Sequence, residues 1–212
     1  QNATIVQRAS GPNRTTKLDV EYALNSTTRS LVAHRTTTQV GRQVLIDRYV
    51  VNQTLYQRSD QFEDSYGSAW IRQDIAENFD AQWQLFDQLG RYKYVIANAS
   101  LSSVERAIVD GTQVYVVTAD VDTVEFDTAI RDKLDMPPNY AGVSENTTLS
   151  ATFWIETETY RPIQVQRTVS GNETVEGESV EFEREIQTRL AYEPVTVTLP
   201  AGASEGRRIE TE

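Results

Sequence analysis

The sequence predicts a mainly β protein, a large curved antiparallel sheet of half-barrel form with one or two helices on its concave face. Short runs of strict apolar-polar alternation recur along nearly the whole chain, polar turns separate them, and only one long segment switches to helical spacing. With 212 residues and 24.0 kDa the chain has room for one large domain, and its 19 aromatic side chains are enough to build a core.

Segment 17–24 sets the pattern: Leu18, Val20, Tyr22 and Leu24 alternate with Lys17, Asp19 and Glu21, as in a half-buried strand. Similar runs at 30–38, 43–51, 54–58, 68–73, 91–97, 103–109, 113–119, 148–156, 162–169, 179–190 and 195–199 are rich in Val, Ile, Thr and Tyr. Asp110-Gly111 marks a tight hairpin because both residues tolerate positive φ, and Asn25-Ser26 and Ser170-Gly171-Asn172 mark further connections. In 74–89 the residues Ile75, Phe79, Trp83, Phe86 and Leu89 follow helical spacing, with Asp74 as N-cap and Gly90 past the end. Val124, Ala129, Ile130 and Leu134 give a weaker helix at 123–134, stopped by Pro137-Pro138. The expected organisation is an N-terminal segment 1–14, one β-rich domain 15–200, and a frayed tail 201–212. Strands followed by segregated helices favour an antiparallel sheet covered on one side, and a sheet this long must curl.

Charge narrows the partners. Twenty basic residues against 31 acidic give a net charge of −11, a field that repels a phosphate backbone, so nucleic acid is not an expected partner. Only three of the basic residues are Lys (Lys17, Lys93 and Lys133), which matches the composition of extreme halophiles, haloarchaea in particular. No apolar run reaches the ~20 residues of a membrane span, so contact with a membrane is expected only through an N-terminal anchor upstream of Gln1. Cys is absent, which excludes a disulfide framework and thiolate chemistry.

Nine Asn and 38 Ser or Thr in 212 residues give about 1.6 chance glycosylation acceptors, yet seven occur. They begin at Asn2, Asn13, Asn25, Asn52, Asn98, Asn146 and Asn172, none with Pro in the middle position. Because oligosaccharyl transfer takes place outside the cytoplasm, the expectation is an extracellular glycoprotein of the cell surface.

Four stretches share a resemblance: Asp47-Arg48-Tyr49-Val50-Val51-Asn52-Gln53-Thr54-Leu55-Tyr56, the Trp70-Ile71 strand, the hairpin from Val109 to Tyr115, and Ala151-Thr152-Phe153-Trp154-Ile155 running through Tyr160-Arg161-Pro162 to Val165. Together they resemble haloarchaeal cell-surface lipoprotein domains. More distantly they are similar to the lipoprotein-carrier and lipid-binding families of the LolA, LppX and LprG types. The resemblance spans about residues 15–200 and implies a half-barrel sheet wrapped over helices around an apolar cavity for acyl chains. The long N-terminal helix of those families is not visible in 1–16, and their lipid-modified Cys is missing.

Catalytic signals are sparse. The sole His is His34, in a Thr-rich strand, so a Ser-His-Asp triad would have to use it, and no nucleophile elbow, metalloprotease helix, phosphate loop or dinucleotide fingerprint is present. Asp120, Asp122, Glu125 and Asp127 cluster at a helix start, where capping explains them better than Ca²⁺, because their spacing matches no EF-hand. No cofactor or metal is expected. The aromatic stripe of Phe79, Trp83 and Phe86, with Tyr56 and Trp70 on the strands before it, reads either as ordinary core or as the lining of an apolar pocket. The resulting expectation is a non-enzymatic surface lipoprotein domain that binds or carries an apolar or lipid ligand and meets envelope or surface proteins. The alternative is a structural or filament subunit whose segment 1–10 donates a strand to a neighbour, and a surface hydrolase is a third reading.

Overall fold

The alternation seen in the sequence becomes one open sheet of twelve strands. The structure, a computed structural model, describes residues 2–10, 16–39, 41–134, 147–175 and 178–210. In chain order the strands are β1 (Asn2–Ser10), β2 (Thr16–Asn25), β3 (Ser30–Gln39), β4 (Arg42–Val51), β5 (Thr54–Arg58), β6 (Trp70–Asp74), β7 (Ala99–Val109), β8 (Thr112–Val121), β9 (Thr147–Glu156), β10 (Pro162–Val175), β11 (Glu178–Ala191) and β12 (Arg207–Ile209). They lie in the order β12-β6-β5-β4-β3-β2-β1-β11-β10-β9-β8-β7, antiparallel throughout except for the β12–β6 pair. Four α-helices are described: α1 (Gln61–Tyr66), α2 (Phe79–Phe86), α3 (Gln88–Ala97) and α4 (Thr123–Leu134).

Turn chemistry fixes the hairpins. Asp110 and Gly111 both sit at positive φ (49° and 83°), the conformation a two-residue turn of matching twist requires, and Asn52 and Gln53 (50° and 61°) do the same between β4 and β5. Asp122 caps α4: its Oδ1 accepts from the backbone N–H of Val124 and Glu125 at 3.0 and 2.9 Å, which settles the role of that carboxylate.

One buried cluster joins Val50 of β4, Phe79 and Trp83 of α2, Tyr92 and Val95 of α3, Phe126 of α4, Val121 of β8 and Phe153 of β9. In the sheet β4 and β8 are seven strand spacings apart, roughly 34 Å if flat. Short helices reach both only because the sheet curls around them, so the helices occupy its inner, concave side.

Five local expectations need correction. The run 91–97, expected as a strand, is helical: Tyr92 and Val95 are buried at helical spacing, and short apolar runs do not separate the two periods. The single helix over 74–89 is instead a 3₁₀ turn (Ala76–Asn78) followed by α2 and α3, broken at Asp87, whose Oδ1 accepts from Gly90 N–H at 3.0 Å; Gly90 therefore lies inside α3. Ser170-Gly171-Asn172 is no connection but lies within β10, paired with β11. Segment 195–199 keeps its alternation, with Val195, Val197 and Leu199 half-buried, but lies between Pro194 and Pro200 and joins no ladder. The tail expected to fray forms a 3₁₀ turn at Ala203–Glu205 and then β12 beside β6.

Segment 1–10, considered as a strand for donation to a neighbour, pairs with β2 and β11 of its own chain. Helix α1 has no counterpart in the sequence reading; its six residues bury no side chain, so no apolar period announces it. Pro137 and Pro138 lie outside the described residues.

Candidate functional site

Strand register assigns every described side chain on the sheet to its inner or outer face. On the inner face one cross-strand row runs from Thr188 of β11 through Val165, Phe153 and Val117 to Val104 of β7. Its middle lies under the helices, and its β7 end does not.

A bulge between Leu101 and Ser103 inserts one residue into β7, so that Leu101 and Val104, three apart, both face inward beside Ala119 and Val117. With Ile108, beyond the inward Arg106, they give the edge strand three large apolar side chains exposed by 61, 60 and 71%. At the hairpin end of β7, Arg106, Ala107, Ile108, Gln113, Val114 and Thr157 line a cavity of about 180 Å³. Large apolar side chains left open beside a core are a usual mark of a binding surface.

Two buried hydroxyls stand out, one on α3 and one at the β11 end of the row. Tyr92 is 4% exposed and Thr188 fully buried, and neither Tyr92 Oη nor Thr188 Oγ1 has a hydrogen-bond partner. Tyr92 stands edge-on to Phe153 (5.9 Å between centroids), and the Arg167 guanidinium lies 5.8 Å from the Tyr92 ring centre. Arg167 is the next inward residue after Val165, the register partner of Thr188, which makes it a diagonal neighbour of the threonine. Nearby, the Tyr192 hydroxyl donates to Pro162 O at 2.8 Å, and its pKa is pushed up to about 12, first by burial and further by Tyr92, against the lowering effect of Arg161.

Carboxylates are concentrated on the outer face, which also carries Arg58, Arg72 and Arg189. Arg35, Arg42, Arg48, Arg106, Arg167 and Arg184 all alternate inward, whereas among the described side chains of β2 to β11 the only inward carboxylate is Glu178, at a hairpin tip. Asp19, Glu21, Asp47, Glu105, Glu181, Glu183 and Glu185 alternate outward. Four of the inward Arg lie against rings, Arg48 on Phe86, Arg106 on Tyr115, Arg167 on Tyr92 and Arg184 on Phe182.

The five aromatic residues singled out from the sequence do not meet. Phe79 and Trp83 (7% exposed each, centroids 6.1 Å apart) belong to the inner core, and Phe86 packs against it. Tyr56 and Trp70 instead alternate to the outer face, where Trp70 stacks on Tyr49. In β6 it is Ile71 that turns inward, and a five-residue strand does not announce which of its faces is covered.

His34 is also on the outer face. Its Nδ1 bonds Asp47 Oδ1 at 2.8 Å, and Arg58 lies 3.9 Å from the other carboxylate oxygen. Burial first, then the Asp47 charge, raise the pKa of neighbouring Tyr49, and Arg58 opposes them. Among the described residues no hydroxyl bonds the imidazole, so the Asp-His pair lacks the nucleophile of a triad. No described group of three or more His, Asp or Glu is placed to hold a metal ion.

Of the seven acceptor asparagines, Asn52 lies exposed in the β4–β5 turn and Asn172 exposed on β10. Asn98 is half-buried between α3 and β7, its carbonyl accepting from Asp122 N–H at 3.0 Å. Asn25 is tied down through both side-chain atoms, bonding Thr27, Thr28 and Val195. Asn2 opens β1, and Asn13 and Asn146 lie outside the described residues.

No family model and no curated protein matches the chain. Among solved structures it is similar to the crystal structure of MucB in complex with MucA(peri), with a TM-score of 0.31 and 13% identity, the match covering 95% of this chain and 61% of that one. The chain thus spans less than two thirds of that structure's length. Among the described residues no helix is long and apolar enough to cross a membrane.

Proposed function

We propose that the chain is a non-enzymatic binding domain of the cell exterior that takes an apolar or lipid ligand on the inner side of its curved sheet. The observation that carries this reading is the exposure of Leu101, Val104 and Ile108, the first two continuous through Ala119 and Val117 with the core. The seven acceptor sequences support a glycosylated, extracytoplasmic protein of the cell surface, held by a lipid anchor in its full form, with the exposed Asn52 and Asn172 as the foremost glycan sites. The composition supports a haloarchaeal source.

Titration with the neutral probe N-phenyl-1-naphthylamine tests the ligand reading. Wild type should enhance its fluorescence saturably, and the pair Val104→Thr with Ile108→Thr should weaken binding at least severalfold while leaving the unfolding midpoint nearly unchanged, since both side chains are already exposed. A wild type that leaves the probe dark removes the proposal.

A further inference from the structure

We infer that β7 is an acceptor edge, whose segment 103–109 takes one added antiparallel strand from a partner protein. That strand carries an acidic side chain opposite Arg106, a basic one opposite Glu105, and apolar ones opposite Val104 and Ile108. This goes beyond the apolar-ligand reading, because it uses the rim of the sheet and not its hollow.

The two edges of the open sheet are unlike. β12 is three residues long, and its Arg207 is turned back to donate to the Tyr66 carbonyl of α1 at 3.0 Å; an edge this short offers little to a further strand. β7 is eleven residues long, holds neither Pro nor Lys, and is exposed at every position from 100 to 106. Among the described residues it pairs with β8 alone.

The register shows which backbone groups are open. Gln113 lies opposite Ile108, yet its carbonyl accepts from Thr157 N–H at 3.0 Å, on the β9 side. Ile108 and Gln113 are therefore a non-hydrogen-bonded pair of the β7–β8 ladder, and the N–H and C=O of Ile108 point to the free edge. Antiparallel ladders alternate, so Arg106 and Val104 point the same way, a row of open donors and acceptors about 14 Å long. The bulge at Leu101/Ser103 ends that row on one side and the Asp110-Gly111 turn on the other.

Side chains specify the partner. Val104 and Ile108 are exposed on the inner side of the edge with Arg106 between them, and Glu105 stands on the outer side. Their cross-strand neighbours on β8 are the uncharged Tyr115 and Val116, and neither charge joins an ion pair with a described residue. Tyr115 takes the flat face of the Arg106 guanidinium, 5.4 Å from the ring centre, and leaves its N–H edges open. A strand on the free side of β7 supplies both counter-charges, and cross-strand pairs of opposite sign stabilise a sheet where like pairs destabilise it.

A second copy of the chain fits less well. In a two-fold antiparallel pair each side chain stands opposite one of its own face, so outward Glu105 never meets inward Arg106. Pairing centred on either residue sets like charges together, and the net charge of −11 opposes association. From its N to its C terminus the accepted segment is therefore apolar, unrestricted, acidic, basic, apolar.

The test adds the synthetic peptide acetyl-Thr-Val-Thr-Glu-Lys-Val-Thr-amide to the whole chain. Amide exchange followed by NMR should show Val104, Arg106 and Ile108 protected by the peptide, while Glu105, Ala107 and Val109, turned toward β8, change little. N-methylation of the peptide's Glu, whose N–H faces the Arg106 carbonyl, should abolish binding; N-methylation of its Lys, whose N–H points away, should be tolerated. Exchanging Glu and Lys in the peptide should weaken binding about threefold or more. Glu105→Lys combined with Arg106→Glu, both at exposed positions, should fold as wild type and prefer the exchanged peptide by a similar factor. No saturable binding up to about millimolar peptide, protection at the other three amides, or a preference the double variant does not reverse overturns the proposal. Self-association that protects the same three amides without peptide assigns the edge to a second copy and overturns it equally. N-phenyl-1-naphthylamine binding is read separately, so failure of the peptide leaves the apolar reading standing.

Discussion

Asn25 and Val195 are 170 residues apart and joined by one hydrogen bond, from Asn25 Nδ2 to the Val195 carbonyl at 2.8 Å. The same side chain accepts from Thr27 and Thr28 N–H through Oδ1, both at 3.0 Å. One amide therefore closes the β2–β3 turn and fastens the extended segment that leads to β12. Asn25→Ala should cost about 1–2 kcal/mol in urea unfolding. Asn25→Asp keeps the acceptor and loses the donor, so it should retain the turn but increase hydrogen exchange in 195–209. If Asn25→Asp matches wild type in both measurements, the link to Val195 is not holding the segment. A glycan would be attached at this same nitrogen, so glycopeptide mapping should find Asn52 and Asn172 occupied ahead of Asn25.

Trp83 is 7% exposed and packed with Phe79 in the core that all three inner helices share. Trp83→Ala should destabilise by about 3–5 kcal/mol, the range for deleting a large aromatic side chain from a packed core. A loss near 1 kcal/mol would show that part of the ring already faces a void and would return Trp83 to the ligand-lining set.

The course of the sheet could be read from the sequence because alternation is a local signal: β2 to β6 and β7 to β11 match the apolar periods within a few residues, and Asp110-Gly111 announced its turn. Three kinds of information were not local. Which face of a short strand is covered depends on the partner strands, so nothing local in the sequence assigns Trp70 and Tyr56 to the outer face. A bulge such as that at Leu101/Ser103 leaves no compositional mark, so the exposed apolar set of β7 could not be assembled from its residues. The two unpartnered buried hydroxyls belong to Tyr92 on a helix and to Thr188 six elements later on β11. Reading 91–97 as a strand hid the first, and a single Thr in an alternating run gives no hint of being buried without a partner. Asp47 likewise met His34 only through the β3–β4 register.

The raised pKa of Tyr192, about 12, sets a pH dependence. The phenol holds its proton more tightly in the folded state than in the unfolded chain, where the ordinary value is near 10. Its contribution is fully present below pH 10 and is lost as pH rises toward 12, so stability should fall across that window. Absorbance titration at alkaline pH should show late phenolate ionisation, to which Tyr49 also contributes, and Tyr192→Phe should remove its latest part. If the variant leaves the titration unchanged, the latest part belongs to another tyrosine.

Gly206 follows the 3₁₀ turn at the point where the chain closes on Trp70. A Cβ there would stand 3.0 Å from Trp70 Cβ and 3.1 Å from the carbonyl oxygens of Trp70 and Ala203, atoms that cannot swing away. Gly206→Ala should cost about 1–3 kcal/mol through overpacking and should release β12 first. Faster hydrogen exchange confined to 203–209 is the signature to look for, and wild-type exchange there would contradict the close approach.

Glu181, Glu183 and Glu185 occupy alternate positions of β11 and so share its outer face, about 7 Å apart along the strand. That spacing is inside the ~8 Å Debye length at physiological ionic strength and outside the ~3 Å length at 1 M, so the repulsion within the triplet acts in dilute salt and is screened in concentrated salt. The unfolding midpoint should therefore rise from low to molar KCl, in keeping with the net charge of −11. Glu181→Gln combined with Glu185→Gln should raise the midpoint at low salt and flatten its rise, while leaving the molar-salt value close to wild type. A midpoint that is flat or falling with KCl in wild type would argue against both a halophilic surface and an outer face governed by its own repulsion.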